Sequence, residues 1–395
     1  MIQILDREEK RKSLNGNWKF VYLKNMDDKY LDVLKKSILN PEIVKKNGKD
    51  LKIVYTPLHG TGAKPVKNIL NRLGFTNVYV VEEQEQPDGK FPTVDYPNPE
   101  DEKAFKLALE LAKKVDADII TATDPDADRL GVYAKDSVTG EYKSFTGNMS
   151  GMLIAEYLLS QQKEKGILPE NGVFVKTIVS TNMADAIAKE YNLELSEVLT
   201  GFKYIGEKIR EFETVGDKQY AFGFEESYGC LVGTHARDKD GIVAVMMLCE
   251  AAAYYKSKGL TLCDQMDNMY KKYGYYKEGL ASITMEGADG AEKIAKIMEN
   301  LRQNAPKQFG KYKVIKAKDY KTSICQDLQT NETTEITLPK SNVLYYDLEN
   351  DAWCCARPSG TEPKIKFYMG IKASSQKEAD TELEELKKSV LETIK

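Results

Sequence analysis

The chain has 395 residues, more than one core comfortably holds, so two or three domains are expected. It is 42% hydrophobic and 30% charged with a net charge of −4, which argues against a nucleic-acid binder, since that would need a basic face to neutralise phosphates. The N-terminal MIQILDREEKRKSLNG has no apolar core of signal-peptide length, and no stretch reaches the ~20 apolar residues of a membrane span, so a soluble cytoplasmic protein is expected. The six cysteines, Cys230, Cys249, Cys263, Cys325, Cys354 and Cys355, form no CxxC pair and read as buried, reduced thiols.

In chain order, residues 51–56 (LKIVYT) read as a buried strand, followed by the turn PLHGTG. A helix is expected over 64–73, with Val66, Ile69, Leu70 and Leu73 on one face and Gly74 past its end. Residues 78–81 return as a strand. After the Pro- and Gly-rich QPDGKFPTVDYPNPE, a second helix is expected over 101–115, then a strand over 118–123. This alternation implies a largely parallel sheet. The same order restarts with a strand at 173–179, a turn at 180–182 and a helix over 183–191, which points to a repeated domain architecture. From about Tyr275 the elements become shorter and more polar. Strands at 343–347, 353–356 and 365–372 and a closing helix from about Gln376 read as a smaller α+β domain. The expected fold is therefore α/β, with two similar mixed α/β domains and a smaller C-terminal α+β domain.

Three loops carry chemistry. In DPDADR, Asp124, Asp126 and Asp128 alternate directly after a strand, with Arg129 beside them. Carboxylates at such spacing can converge, which is costly without a cation, and hard oxygen ligands suit Mg²⁺. The alternative is an acidic turn that caps the next element. An EF-hand calcium loop is excluded, because Arg129 and Lys135 occupy the places of its Gly and Glu. In GFEESYG, Glu225 and Ser227 sit in a glycine frame and could hold neighbouring sugar hydroxyls, a solvated acidic turn being the alternative. Arg237 and Lys239 follow in HARDKDG and add cations. In RPSGTEPK, Arg357, Ser359, Gly360 and Thr361 can form an anion-binding concavity, with a plain β-turn as the alternative. Glu362 fits such a site only if it faces outward.

In this order, and with TPLHGTG, TGFKYIG (which contains Lys203) and RDKDG, the loops resemble the α-D-phosphohexomutase superfamily. The nearest subgroup is the bacterial phosphoglucomutase-2/phosphopentomutase-like branch. The resemblance runs from about Asp28 onward and implies four domains around a cleft, of which this chain matches the second to fourth: 28–165 for metal, 166–273 for sugar and 274–395 for phosphate, with 1–27 a remnant or linker. It also implies that Asp124, Asp126 and Asp128 bind Mg²⁺, that Arg129 lies beside the reacting phosphate, and that Glu225 and Ser227 hold sugar hydroxyls. Arg357, Ser359, Gly360 and Thr361 would grip the phosphate that does not react, while Lys203, Arg237 and Lys239 fall near substrate.

The activity implied is interconversion of glucose 1-phosphate and glucose 6-phosphate through a phosphoserine, with glucose 1,6-bisphosphate as intermediate and activator. The family's Ser-His-Asn-Pro serine segment is not found in this sequence, so the chain alone is expected to bind Mg²⁺ and sugar phosphates without turnover. Phosphomannomutase or phosphopentomutase activity, or a non-catalytic sugar-phosphate-binding fragment, are the alternatives. An aspartate-nucleophile phosphatase is disfavoured, because Asp128 stands where its DxDx[TV] pattern needs Thr or Val.

Overall fold

The computed structural model describes residues 26–285, 289–360 and 362–393. The chain enters through helices α1 (Met26–Lys35) and α2 (Pro41–Asn47). Strand β1 (Ile53–Thr56) leads to α3 (Ala63–Leu73), which buries Val66, Ile69 and Leu70 and ends at Gly74 with φ of 104°, a left-handed cap that glycine adopts freely. Then come β2 (Val78–Val80), α4 (Lys106–Val115), β3 (Ile119–Ala122), β4 (Gly131–Lys135) and β5 (Tyr142–Phe145). Their sheet has the order β2-β1-β3-β4-β5. Strand β1 is parallel to β2 and β3, whereas β3, β4 and β5 run antiparallel. The largely parallel sheet expected from the sequence is therefore mixed. Residues 123–130 hold no helical crossover, so the chain can only turn back beside β3.

The next segment holds α5 (Gly147–Glu164), β6 (Gly172–Thr177), α6 (Met183–Glu190), β7 (Glu194–Val198) and α7 (Phe202–Val215). It continues through β8 (Gln219–Glu225), β9 (Gly229–Leu231), α8 (Gly241–Ser257) and α9 (Leu262–Tyr273). Its sheet order, β7-β6-β8-β9, repeats β2-β1-β3-β4 strand for strand, with the same last antiparallel step. The repeated architecture is real, and it puts the loop after β3 and the loop after β8 in equivalent places.

The third sheet begins with β10 (Tyr275–Thr284). It is followed by α10 (Gly290–Gln303), β11 (Gln308–Phe309), β12 (Tyr312–Asp319), β13 (Ile324–Asp327), β14 (Thr333–Glu335), β15 (Leu344–Leu348), β16 (Trp353–Pro358), β17 (Lys364–Ala373) and α11 (Gln376–Thr393). The strand order is β10-β17-β16-β15-β12-β13-β14, with β11 on β12, and every pairing is antiparallel.

Alternation along the strands sorts the cores. Ile53, Tyr55 and Ile119 face a middle layer of helices, while Val54 and Ile120 face α4. Phe174, Phe222 and Phe224 face the same middle layer from the second sheet, and Val173 and Val175 pack on α7. Helices α5 and α8 thus lie between the two sheets and are buried on most of their circumference. The C-terminal sheet has its own interior, closed by α10 and α11. It meets the second segment through a separate apolar junction that includes Ile178, Val179, Leu199, Tyr345 and Trp353. All six cysteines are free thiols, and five are buried. Among the described residues, no helix is long and apolar enough to cross a membrane.

Candidate active site

The DPDADR loop is shaped by its own first aspartate. Asp124 Oδ1 accepts the backbone N–H groups of Asp128 and Arg129, each at 3.0 Å, and Ala127 takes a left-handed φ of 61° to close the turn. One ligand atom from each of Asp124, Asp126 and Asp128 falls within 4.8 Å of the others. Burial pushes the Asp124 carboxyl up to about 7, and the charges of Asp128 and Asp126 push the same way, against the pull of the Arg129 N–H. A divalent cation would reverse both penalties at once. Among the described residues, Asp128 Oδ1 is buried without a hydrogen-bond donor, so the set fits a hard cation held by oxygen ligands.

Arg129 is half-buried at the cavity edge. Its Nη1 donates to Glu100 Oε1 at 2.6 Å, and its Nε lies 3.5 Å from Asp124 Oδ2. Glu100 comes from the Pro- and Gly-rich loop and went unassigned in the sequence; an isolated glutamate there carries no pattern.

The GFEESYG loop follows β8, whose last residue is Glu225. Ser227 Oγ donates to Glu225 Oε1 at 3.0 Å, so the two side chains share one site. Leu130 N–H donates to Tyr228 O at 2.8 Å, which ties the DPDADR loop to the GFEESYG loop through the backbone. Lys239 bridges them again, with its ammonium 3.0 Å from Asp128 Oδ2 and 3.5 Å from Glu225 Oε1. Burial works against that charge, but Glu225 and Asp128 outweigh it and hold the ammonium above its ordinary range. Gly229 makes this possible: a Cβ there would lie 1.9 Å from Lys239 Cδ. Glu226, the second glutamate, is held by Thr177 Oγ1 at 3.0 Å, and burial followed by Glu225 pushes it up to about 7.

The third candidate segment lies between β16 and β17. Ser359 N–H donates to Lys364 O at 2.7 Å, and Glu362 N–H to Ser359 Oγ at 3.3 Å. Glu362 is exposed and pairs with Lys364 at 2.9 Å, so its carboxylate faces outward. Gly360 is open, with nothing within 4 Å of an added Cβ. Thr361 lies outside the described residues. Arg357 on β16 stands opposite Lys366 on β17 in register. Lys366 was not singled out in the sequence, and period-two alternation from Ile365 would have placed it on the side chain face opposite the core.

These walls open on one cavity of about 470 Å³, lined by Arg129 and Glu100 from the first segment, Glu225, Glu226 and Ser227 from the second, and Arg357 and Lys366 from the third. Aromatic side chains Tyr96, Tyr228, Trp353 and Tyr368 fill the spaces between them. Glu278 on β10 also lines it, accepts from Asn148 Nδ2 at 3.1 Å, and is pushed by burial up to about 7. Among the predicted residues, Asp124, Asp126, Asp128, Lys239, Ser359 and Gly360 flank this lining without joining it, and Lys203 and Arg237 are engaged elsewhere. Lys203 is exposed with its ammonium over the Tyr204 ring at 4.9 Å, and Arg237 binds Glu213 and the carbonyls of Thr234 and Ala236. A second cavity, of about 510 Å³ at the start of β3, has Lys256 paired with Asp118, Lys135 with Asp116 and Asp136 with Lys143, and belongs to none of these loops.

The description "Phosphoglucomutase/phosphomannomutase, alpha/beta/alpha domain II" matches residues 28–139, and the corresponding domain III matches 146–273. Phosphoglucomutase of Staphylococcus epidermidis is 41% identical over 324 residues, covering 82% of this chain and 58% of its own length. That of Staphylococcus aureus is 39% identical over 323 residues, covering 82% and 57%. The chain therefore spans a little over half the length of these relatives. Among solved structures, the phosphoglucomutase-related phosphoprotein parafusin from Paramecium matches with a TM-score of 0.65 at 19% identity, over 93% of this chain and 62% of that one. Aspergillus fumigatus N-acetylphosphoglucosamine mutase, solved with GlcNAc-6P and magnesium, matches with a TM-score of 0.52 at 14% identity, over 96% and 68%. With both central domains matched in sequence and the repeated sheet order present in three dimensions, the chain belongs to the α-D-phosphohexomutase superfamily.

Proposed function

We propose that this chain supplies the metal, sugar and phosphate walls of a phosphoglucomutase that interconverts glucose 1-phosphate and glucose 6-phosphate, with glucose 1,6-bisphosphate as intermediate and activator. The observation that carries the reading is the single cavity into which Arg129, the Glu225–Ser227 pair and the Arg357–Lys366 pair all open.

Asp124, Asp126 and Asp128 would hold Mg²⁺, which supplies charge neutralisation to a phosphoryl group in transfer. Arg129, anchored by Glu100, presents its guanidinium to the phosphate that reacts. Glu225 accepts from a sugar hydroxyl, and Ser227 accepts from or donates to its neighbour. At the far wall, Arg357 and Lys366 hold the phosphate that does not react, with Ser359 and Gly360 beside them. Lys239 keeps the metal carboxylates and Glu225 from repelling each other. Because the two phosphate grips lie on different walls, a bisphosphate can be held in either of two orientations with the sugar on the same glutamate.

Turnover needs a phosphoryl carrier, and the sequence contains no Ser-His-Asn string, so the direct test is binding. Isothermal titration with glucose 1,6-bisphosphate, and with glucose, mannose and ribose 1-phosphates in the presence of Mg²⁺, should show the glucose ligands bound most tightly. Loss of that binding in Arg357→Ala is expected. Equal indifference to every sugar phosphate would refute the reading, and a preference for ribose 1-phosphate would move it to a phosphopentomutase.

A further inference from the structure

The loop between β9 and α8 contains His235 and Asp240, which have no part in the reading above. Asp240 is 7% exposed, and its carboxylate gathers three separate segments. Oδ1 accepts the N–H groups of Ile242 and Val243 at 2.9 and 3.1 Å, capping α8. The Tyr30 hydroxyl on α1 donates to the same carboxylate at 2.8 Å. His235 Nε2 lies 2.7 Å from Oδ2, a pairing that needs the proton on Nε2, because a carboxylate only accepts. A helix cap alone needs one oxygen.

The neighbours of Asp240 explain what the extra contacts fix. Gly241 N–H donates to Ala127 O, inside the metal loop, at 2.9 Å. The approach is so close that a Cβ on Gly241 would lie 2.6 Å from that oxygen and 2.9 Å from the Arg129 carbonyl oxygen. On the other side, Lys239 reaches Asp128 and Glu225. Asp240 N–H itself donates to Cys230 O at 3.1 Å, on the strand that leaves the sugar loop. Metal loop, sugar loop and the start of α8 are thus registered around one buried carboxylate.

We infer that Asp240, held by Tyr30 and His235, is a positioning residue that sets the Asp124–Asp128 loop for divalent-cation binding. The inference rests on the reading of that loop as a metal site. It acts through backbone placement, as outer hydrogen-bond partners do in metal sites, where their loss costs about tenfold or more in affinity.

The test is Mn²⁺ binding to the purified chain, read by electron paramagnetic resonance, alongside thermal melts. Asp240→Asn keeps an oxygen for the helix cap and for Tyr30, and loses the acceptor for His235. It should bind Mn²⁺ about tenfold more weakly with little change in melting. His235→Ala should do the same, and His235→Gln, which restores a donor, should recover most of the affinity. Gly241→Ala leaves the cap in place and pushes the metal loop directly, so it too should weaken Mn²⁺. Wild-type affinity in Asp240→Asn and His235→Ala overturns the inference, as does a loss of affinity matched in every variant by a collapse in melting. Failure of the wild-type chain itself to bind Mn²⁺ overturns the metal reading and the inference with it.

Discussion

Glu250 sits in the middle of α8 with 0% exposure. Its Oε1 accepts the backbone N–H groups of Leu39 and Asn40, at 2.8 and 2.5 Å, where α2 begins. Burial pushes the carboxyl up from 4.5 to about 7, against the pull of those two donors and of Tyr157. Between these values the folded chain keeps a proton that the unfolded chain releases. Stability therefore falls as pH rises through that window, and stays lowered above it. The gap corresponds to about 3 kcal/mol at 1.36 kcal/mol per pH unit. Glu250→Gln keeps the acceptor for both N–H groups and removes the ionisation. Urea unfolding followed by circular dichroism should find the variant close to wild type at pH 5 and more stable by up to about 3 kcal/mol at pH 8. Other carboxyls cancel in this comparison. An equal difference at the two pH values, or a variant less stable at pH 8, would refute the reasoning.

Three further outcomes follow from the cavity and its surroundings. Lys366→Met removes the cation opposite Arg357 and should weaken glucose 1,6-bisphosphate binding by about tenfold, the scale of one lost charge-assisted contact, as calorimetry would record. Glu226 and Glu278 both face the cavity and both are pushed up to about 7, so each gains negative charge as pH rises through that value. Replacing either by Gln should raise affinity for sugar phosphates at pH 8 more than at pH 6, in titrations at the two pH values. Trp353→Ala empties a fully buried site at the junction of the second and third segments and should cost about 3–5 kcal/mol in denaturant unfolding.

Much of this could be read from the sequence because chemistry and local pattern coincided. The stripe Val66, Ile69, Leu70 and the Gly74 stop define α3 within a residue, since both signals act over one turn of chain. The three chemical loops were legible because carboxylates or hydroxyls follow apolar strands directly. Helix α8 was not, because apolar residues surround its whole circumference and leave no period to detect. The mixed sheet was missed for a related reason: β4 and β5 are short, and Lys135 and Lys143 blur their alternation. Glu100 enters the site only through loop folding, which residue spacing does not encode, whereas alternation from Ile365 gives the face of Lys366 but not its place opposite Arg357. Lys203 and Arg237 lie in stretches that resemble substrate-handling motifs, yet their side chains engage Tyr204 and Glu213.

The middle layer of helices has a consequence for how the protein comes apart. Since α5 and α8 serve as interior for both of the first two sheets, neither sheet has an inner face of its own to keep when the other unravels. The two matched family domains should melt as one cooperative block, and a chain cut between residues 139 and 146 should yield sticky fragments in place of two stable modules. The C-terminal sheet, with a private interior and a modest junction, is free to unfold on its own, and calorimetry should resolve it as a second transition.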